Sequence, residues 1–439
     1  MEKKAKAIID RLQQSGYLAF FVGGYVRDRM IGRPTKDIDI ATSATPDEVM
    51  KLFTHTVPTG VKHGTVTVIE EGVPFEVTTF RTESEYEKRR RPKRVEFVPD
   101  LESDLARRDF TINAMAMDRD GNLIDPFGGM DDIRRGRLRC VGDPEQRFRE
   151  DALRMVRCIR FAAEYDLKVD EPTWNALLAQ RDGLREIAME RVRMELERIV
   201  EGSHPEIGLA LFVRADLPFY LKADLKVDKQ RWVEATASDR LSVLSMLNDG
   251  DLRWAHLMLL LRLDADQAAS LLKKLTFAGK RIKKITSLLA FQAELEKRFS
   301  SFAEISKETE HLAEKEWKTA AFHAGDETAD GWLRWLPALA DEPVLSDHRL
   351  PPEVLRLLAE KGQTWLKERP IKEKRELNIS GTDLLQLNQE KGAWIGRLLE
   401  QLALKVALGE IENDKALLLE EAKRMLSEQS GNGKDERGR

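Results

Sequence analysis

The sequence predicts an α+β fold, with a small mixed sheet near the N-terminus and helices over the rest of the chain. Apolar and β-branched runs at 20–22, 65–69 and 75–80 indicate strands. From about residue 131 onward, apolar residues recur at helical spacing and we predict no further strand. The chain has 439 residues, which is too long for one small core and predicts several domains.

Composition narrows the class of protein. The two cysteines, Cys140 and Cys158, predict a reducing compartment, the cytoplasm, and argue against a disulfide framework or a structural zinc site. No apolar run approaches the ~20 residues that span a bilayer, so we expect no membrane partner. The formal net charge is −4, yet basic residues are concentrated at 81–94 and 134–160. Such patches indicate a focused polyanion site, although solvated helix faces would give the same pattern.

Two sequence features are typical of phosphate binding. Gly23 and Gly24 follow the first apolar run, and paired glycines allow a tight turn that approaches a ligand closely. Arg27 follows at the start of a predicted helix, where free backbone N–H groups favour a phosphate. Further along, Arg107 and Arg108 are adjacent, and guanidinium groups bind phosphate in a bidentate manner.

Two aspartates, Asp37 and Asp39, alternate with isoleucines on a predicted strand, so both carboxylates should point to one face. Adjacent carboxylates repel each other unless a cation lies between them. Mg²⁺ prefers one or two carboxylates together with waters and substrate phosphates, so the pattern predicts magnesium-assisted nucleotidyl transfer. A solvated strand end is the alternative. Glu76 is a third carboxylate if its strand neighbours this one, but an exposed strand glutamate fits the spacing equally well.

A strong helical pattern runs over 147–163. Asp151, Arg154 and Arg157 recur at three-residue steps, and Arg160 extends the polar stripe. Asp151 can only accept hydrogen bonds and Arg154 can only donate them. Together they could accept the pairing edge of cytosine or adenine and reject that of uracil or guanine. The alternative interpretation is an intrahelical salt bridge of little energetic value.

Two segments are predicted to lack regular structure. Residues 81–100 are charged, poor in aliphatic side chains and contain two prolines, which predicts a mobile loop. Residues 427–439 are polar and rich in glycine, which predicts a disordered tail.

Taken together and in this order, these motifs resemble the class II tRNA nucleotidyltransferases, the bacterial CCA-adding enzymes. The resemblance spans about 20–200. The matching elements are Gly23-Gly24-x-x-Arg27-Asp28, Asp37-x-Asp39, Gly60-x-x-His63-Gly64-Thr65, Glu76 to Phe80, Arg107 to Ala114, Asp125-x-Phe127-Gly128-Gly129, Arg147-Phe-x-Glu150-Asp151-x-x-Arg154 and Glu190-Arg191.

The resemblance implies five segments: a nucleotidyltransferase head (1–136), a helical neck with the base-selecting helix (137–203), a helical body (204–340), a helical tail that binds tRNA (341–426) and a disordered C-terminus (427–439). It also implies template-independent addition of C, C and A to tRNA. The tRNA 3′-hydroxyl would attack the α-phosphate of CTP or ATP and release pyrophosphate. The partners would be the acceptor arm and 3′ end of tRNA, CTP and ATP, with a homodimer left open.

The resemblance assigns roles to ten residues. The catalytic set is Asp37, Asp39 and Glu76, of which Asp37 and Asp39 would bind Mg²⁺. The nucleotide-binding set is Gly24, Arg27, Arg108, Asp151, Arg154, Arg157 and Arg160.

Three other functions remain as alternatives. An A-adding specialist shares these motifs, whereas the CC-adding type typically lacks part of the segment at 81–100, which is full length here. Bacterial poly(A) polymerases share the head, but this chain has the Gly60-x-x-His63-Gly64-Thr65 form of the tRNA enzymes. A catalytically silent RNA-binding protein is disfavoured by the intact Asp37 and Asp39.

Overall fold

The computed structural model describes residues 1–35, 37–87, 91–302, 309–340, 350–387 and 391–432. It divides into two compact units. The first comprises Met1–Ser238 and Lys274–Thr276, and the second comprises Asp239–Lys273 and the described residues from Phe277 onward. The five-segment division implied by the resemblance stays a prediction.

All strands of the described residues lie in the first unit. They are β1 Ala19–Val22, β2 Asp39–Thr42, β3 Thr56–Gly60, β4 Thr65–Glu70, β5 Val73–Thr79, β6 Arg81–Glu87, β7 Arg91–Phe97, β8 Ala116–Met117, β9 Leu123–Ile124, β10 Arg137–Leu138 and β11 Lys168–Val169.

The first unit also contains short and medium helices. They are α1 Glu2–Gln14, α2 Gly24–Ile31, α3 Pro46–Leu52, α4 Leu101–Ala106, α5 Gly129–Arg134, α6 Pro144–Glu150, α7 Leu153–Glu164, α8 Glu171–Gln180, α9 Met189–Val200, α10 Pro205–Arg214 and α11 Lys229–Ala235. Short 3-10 segments occur at Val61–His63, Thr111–Asn113, Arg181–Glu186 and Leu217–Phe219.

The main sheet is mixed, with the strand order β3-β4-β5-β2-β1-β8-β9. Within this sheet the β2–β5 pair is parallel, and every other pair of neighbouring strands is antiparallel. Ile38 and Ile40 are buried in the core against α1 side chains such as Ile8 and Leu12, as their alternation with the aspartates predicted. The parallel register places Asp39 directly beside Glu76, which brings two predicted catalytic carboxylates to one place.

From Ser238 onward the described chain is helical. The helices are α12 Ser238–Met246, α13 Gly250–Leu260, α14 Ala265–Lys274, α15 Gly279–Phe299, α16 Glu310–Ala324, α17 Asp326–Ala340, α18 Pro352–Lys367, α19 Gly381–Leu385, α20 Trp394–Ala407 and α21 Lys415–Asn432, with a 3-10 turn at Lys374–Glu376. The predicted α+β class, a mixed-sheet head followed by helices, is confirmed. No helix of the described residues combines the length and the apolar character that a membrane crossing needs.

The second unit is centred on buried aromatic side chains. Trp317, Trp332 and Phe291 contact one another with ring centroids 5.6–5.9 Å apart. The indole N–H of Trp332 donates to Gln292 Oε1 at 2.7 Å, so this large buried ring leaves no polar atom unsatisfied.

Three expectations about regular structure need correction. The segment predicted as a mobile loop contains the antiparallel hairpin β6–β7, paired from Arg81↔Phe97 to Glu87↔Arg91, and its residues 88–90 lie outside the described residues. Beyond residue 131, β10 and β11 form a short parallel pair. The helix α21 continues to Asn432 through the start of the predicted disordered tail, while 433–439 lie outside the described residues.

Candidate active site

A cleft of about 670 Å³ opens in the first unit. The main sheet, α2, the start of β6 and the segment after α4 contribute one set of lining residues, which we call the sheet side: Val22, Gly23, Gly24, Arg27, Asp39, Ile40, Thr65, Glu76, Thr78, Arg81, Arg107, Arg108, Asp109 and Asn113. The α6–α7 junction, α7 and α9 contribute the rest, which we call the helix side: Asp151, Leu153, Arg154, Arg157, Phe161, Arg191, Met194, Glu195 and Arg198.

Carboxylates repel one another on the sheet side. Asp39 begins β2 and is the direct parallel neighbour of Glu76 on β5. Burial raises the pKa of Asp39, and the negative charges of Glu76 and Asp37 raise it further, whereas the positive charge of Arg108 opposes them. Asp37 is exposed and is not one of the lining residues, although its charge acts on Asp39. The carboxylates around Asp39 therefore form a local cluster of negative charge, although arginines line the same cleft.

The chemistry of this site suits a hard cation. A divalent ion would relieve the repulsion between Asp39 and its acidic neighbours, and carboxylate oxygens are the ligands that such an ion prefers. In the part of the chain that the structure describes, no group of three or more His, Cys, Asp or Glu side chains is arranged to hold a metal. A third-ligand role for Glu76 therefore stays a prediction.

The turn at Gly23 and Gly24 places the backbone close to Asp39. Gly23 has φ = +68°, and a Cβ there would lie 3.0 Å from Arg108 Nη1 and 3.6 Å from Asp39 Oδ2. The backbone conformation therefore favours glycine, and an added Cβ would press on the end of the Arg108 side chain. The helix α2 begins at Gly24, and no side chain of the described residues caps its N-terminus. Its first N–H groups can thus face an anion in the cleft.

Arg27 is held in place before any ligand binds. Its Nη1 donates to Asn113 Oδ1 at 2.5 Å and its Nε donates to Asp28 Oδ1 at 2.9 Å. The guanidinium also lies 4.4 Å from the ring centroid of Tyr165. Such a fixed cation at the lining of the cleft suits a phosphate, because little side-chain freedom remains to be lost on binding.

Arg108 is anchored by a buried acid. Arg108 Nη2 donates to Asp104 Oδ2 at 3.1 Å, and Arg107 Nη2 donates to Asp104 Oδ1 at 2.8 Å. Burial alone would raise the pKa of Asp104, but the two guanidinium groups outweigh it and the net pKa is lowered. The Nε atom of Arg108 is buried and has no hydrogen-bond partner among the described residues. A phosphate oxygen would satisfy such a donor.

The helix side departs from the sequence prediction. The single helix expected over 147–163 is wrong, because α6 ends at Glu150 and α7 begins at Leu153. Between them Asp151 has φ = −137° and ψ = 103°, which is extended backbone. Asp151 Oδ1 accepts a hydrogen bond from the backbone N–H of Leu153 at 3.1 Å. Asp151 and Arg154 therefore flank a helix junction and do not share one helical stripe.

Both of these residues line the cleft, and each is held by other groups. Asp151 accepts two hydrogen bonds from Arg191 on α9, at 2.8 and 3.3 Å. Arg154 Nη1 donates to Glu150 Oε2 at 2.8 Å, and Arg154 Nη2 donates to the carbonyl oxygen of Arg107 at 3.0 Å. The predicted acceptor and donor are thus presented to one cavity by a network of hydrogen bonds.

The other two predicted arginines differ from each other. Arg157 lines the cleft and donates from Nε and Nη2 to Asp109 Oδ2, at 2.9 and 2.7 Å. Arg160 is not one of the lining residues. Its Nε donates to Glu195 Oε2 at 2.6 Å, and its guanidinium lies 3.8 Å from the ring centroid of Phe161. The structure therefore gives Arg160 a contact between α7 and α9.

Three family models match this chain. They are the Poly A polymerase head domain over residues 19–139, the RNA- and SrmB-binding site of polymerase A over 166–222, and tRNA nucleotidyltransferase domain 2 over 357–422.

Full-length relatives decide the family. The chain is 38% identical to the CCA-adding enzyme of Geobacillus sp., with 94% of each chain covered. It is 36% identical to the CCA-adding enzyme of Ligilactobacillus salivarius, with 97% of each covered. This chain belongs to the CCA-adding enzyme family. The crystal structure of the Bacillus stearothermophilus CCA-adding enzyme with CTP is also similar, with 32% identity, a TM-score of 0.82 and 98% of each chain covered.

Membership of the CCA-adding enzyme family confirms the recognition from motifs and establishes the chain as a nucleotidyltransferase. Enzymes of this family use divalent metal ions. Of the ten predicted site residues, the cleft gathers eight: Gly24, Arg27, Asp39, Glu76, Arg108, Asp151, Arg154 and Arg157. Asp37 and Arg160 are not among the lining residues.

Sequence reasoning missed the acids and the arginine that hold the helix side together. Asp109, Arg191 and Glu195 all line the cleft and were not assigned to the site. Asp109 and Arg191 lay inside motifs quoted for the family, yet no local pattern indicated their partners. A usable signal was the surplus of arginines in the segment that forms α7, because buried guanidinium groups require acidic partners elsewhere.

Proposed function

We propose that this enzyme adds C, C and A to the 3′ end of tRNA, taking the nucleotides from CTP and ATP without a nucleic-acid template. One observation carries the proposal: the Asp39–Glu76 pair, Asp151 and Arg154 all line the same cleft. The names of the relatives at 36–38% identity and the CTP complex of the Bacillus stearothermophilus enzyme support the same activity.

The sheet side would carry out the chemistry. Asp37 and Asp39 would hold Mg²⁺, with Glu76 adding negative charge beside them. The ion would polarise the α-phosphate and lower the barrier to attack by the tRNA 3′-hydroxyl. The residues Asp37 and Asp39 would bring the two reactants together by fixing the position of the ion, which converts a bimolecular encounter into an oriented step.

The glycine turn and two arginines would hold the triphosphate. Backbone N–H groups at Gly24 and the start of α2 would face its oxygens. Arg27 is already oriented by Asn113, and Arg108 presents a buried Nε without a partner among the described residues. These cations would also stabilise the charge that develops on the departing pyrophosphate.

The helix side would select the base. The Asp151 carboxylate would accept a hydrogen bond from the amino group of cytosine or adenine, and Arg154 would donate to the adjacent ring nitrogen. Uracil and guanine would place a carbonyl oxygen against the carboxylate and an N–H against the guanidinium. Both contacts would leave polar groups unpaired in the cleft, so these bases would be rejected.

The tRNA itself would be gripped through its acceptor arm by the helical part of the chain, in the cytoplasm. The match of tRNA nucleotidyltransferase domain 2 over residues 357–422 supports that placement. A homodimer remains an open prediction.

Incorporation of labelled CTP and ATP on three tRNA transcripts tests this function. The transcripts end before CCA, after one C and after CC. Addition on all three that stops after A supports the proposal. Addition of A to the third transcript alone indicates an A-adding specialist, and long A tails indicate a poly(A) polymerase. Binding of tRNA without any incorporation indicates a catalytically silent RNA-binding protein.

A further inference from the structure

The Asp151 carboxylate is fixed from two directions. From α9, Arg191 Nη2 donates to Oδ2 at 2.8 Å and Arg191 Nη1 donates to Oδ1 at 3.3 Å. From the first residue of α7, the backbone N–H of Leu153 donates to Oδ1 at 3.1 Å. These donors set both the position of the carboxylate and the plane in which it lies.

The number of remaining acceptor positions is small. An ionised carboxylate accepts at about four positions and donates at none. The contacts from Arg191 and Leu153 use three of them on Asp151, which leaves about one. The Asp151 side chain lines the cleft and is 17% exposed, so this last position can be reached by a ligand. One acceptor position matches one N–H of an exocyclic amino group.

Arg191 also fixes the hydrogen-bonding character of Asp151. A guanidinium offers donors only, so the carboxylate oxygens that face it must act as acceptors. Without Arg191, the short side chain of Asp151 could turn and present a different edge to the cleft. Discrimination between an amino group and a carbonyl oxygen would then be weaker, because the acceptor would no longer meet the base at a defined angle.

The helix that carries Arg191 is itself anchored. Val192 and Leu196 of α9 are buried. Glu195 accepts from Arg160 of α7 at 2.6 Å, and these two side chains are 7% and 6% exposed. A buried charge pair of this kind resists separation, because parting the two ions would leave each buried and unpaired. Arg191 therefore approaches Asp151 from a helix that is fixed to α7.

We propose that Arg191 is a positioning residue that sets base discrimination by aiming the last acceptor position of Asp151 at the incoming base. The inference rests on the proposed function, since it requires that Asp151 reads the base. The role of Arg191 is distinct from that of a nucleotide ligand, because it acts through Asp151.

The test compares kcat and KM for CTP and UTP on a transcript that lacks CCA, using the full chain with Arg191→Ala and Arg191→Lys. We expect the ratio of kcat/KM for CTP to that for UTP to fall by about 10-fold to 100-fold in Arg191→Ala. Lysine keeps the charge but lacks the fixed pair of donors. The CTP-to-UTP ratio of Arg191→Lys should therefore lie between those of the wild type and Arg191→Ala. Added guanidinium ion should restore part of the ratio in Arg191→Ala, which a general loss of stability would not allow.

Arg193→Ala is the matched control. Arg193 lies on the same helix, pairs with Glu197 at 3.6 Å and is not one of the lining residues, so its substitution should leave the CTP-to-UTP ratio unchanged. An unchanged ratio in Arg191→Ala, with normal CTP incorporation by the wild type, overturns the inference and leaves the proposed function intact. Failure of the wild type to incorporate CTP removes the proposed function itself. If Arg191→Ala does not fold, Arg191→Gln replaces it, and an unchanged ratio there overturns the inference equally.

Discussion

The acids on the two sides of the cleft differ in how closely they are paired with arginines. On the sheet side, Asp39 faces the negative charges of Glu76 and Asp37, and the single opposing charge that acts on its pKa is that of Arg108. On the helix side, the acids are matched with arginines within hydrogen-bond distance. The pairs there are Asp151 with Arg191, Glu150 with Arg154 and Glu195 with Arg160, and Arg157 reaches across the cleft to Asp109 of the sheet side.

This difference separates two kinds of recognition. An unbalanced cluster of carboxylates is completed by charge from solution, which suits a site for a metal ion and a nucleotide triphosphate. A balanced network has its geometry fixed before the ligand enters, which suits the reading of a neutral base edge. Substitutions on the two sides should therefore fail differently: loss of chemistry on the sheet side, and loss of stability or selectivity on the helix side.

The largest expected effect is that of Asp39→Ala on incorporation. Loss of the carboxylate that we propose to hold the metal should lower the rate by about 1000-fold or more, while tRNA binding is retained. Gel-based incorporation and a filter-binding measurement on the same preparations check this. Asp47→Ala, which removes an exposed acid in the first turn of α3, is the control and should be near wild type. Incorporation within about 10-fold of wild type after Asp39→Ala would contradict the assignment, because one lost transition-state contact already costs more.

Substitution of Asp39 should increase the stability of the fold, although it lowers the activity. Burial and the charge of Glu76 raise the pKa of Asp39, so the ionised form destabilises the fold above the usual carboxylate range. Asp39→Asn should therefore raise the thermal midpoint at pH 7 without Mg²⁺, by about 2 °C, and the gain should shrink as the pH falls. Added Mg²⁺ should stabilise the wild type more than the variant.

The next effect is structural and concerns Arg157. Arg157→Ala would leave the Asp109 carboxylate, which is 8% exposed, without its guanidinium. Breaking a buried ion pair from one side should cost about 3 kcal/mol of unfolding free energy, measured by urea denaturation. Arg185→Ala breaks an exposed pair with Asp182 and should cost about 0.5 kcal/mol or less. Equal losses in the two variants would show that the Asp109–Arg157 pair contributes no more than a surface contact.

The pH dependence of this loss has a defined sign. Burial alone would raise the pKa of Asp109, but Arg157 and Asn113 outweigh it and hold the pKa well below its usual range. In the wild type this stabilisation is present above the usual aspartate pKa and is lost only in strong acid. In Arg157→Ala burial dominates and raises the pKa, so protonation favours the folded state. The gap between the two proteins should therefore narrow from pH 7 to pH 5, and a constant gap would contradict this account.

The smallest expected effect is that of Gly23→Ala on nucleotide binding. Gly32→Ala, at the other end of α2, is its comparison. Gly23 (φ = +68°, ψ = −132°) has a backbone conformation that L-residues rarely adopt, whereas Gly32 (φ = +76°, ψ = 21°) is αL, so alanine strains the backbone at both positions and more strongly at position 23. An added Cβ meets Arg108 Nη1 at 3.0 Å at position 23 but nothing within 4 Å at position 32. Gly23→Ala should raise KM for CTP by about 10-fold because it displaces Arg108, which we propose to bind the triphosphate, whereas Gly32→Ala should change the melting temperature alone. Equal KM values would show that the turn is not a nucleotide contact.

Local patterns could predict what depends on neighbours in sequence. The alternation around Asp39 correctly placed Ile38 and Ile40 in the core. The sequence could not predict that β2 pairs with β5 and sets Asp39 beside Glu76. A parallel register is decided by packing between segments that are distant in the chain. The same limit applies to the contact of Asp151 with Arg191, which lies 40 residues further along the chain.

Two errors have a local cause. The helix predicted over 147–163 runs through Asp151 because apolar residues recur on both sides, yet aspartate favours helix ends through hydrogen bonds to nearby backbone N–H groups. Its bond to the N–H of Leu153 is such a contact, and it could have been suspected. The sequence predicts a loop where the hairpin β6–β7 forms, because strand prediction depends on an apolar face, which a charged hairpin does not show.

The parallel pairing of β2 with β5 has a consequence for how this enzyme can tolerate insertions and deletions. The chain between these strands contains α3, β3 and β4, and the turns joining them can change length without moving Asp39 relative to Glu76. A single residue inserted inside either strand would instead shift the register by one and turn the following side chains to the other face. Length variation compatible with activity should therefore be confined to the connecting turns, while the two strands keep a fixed count of residues.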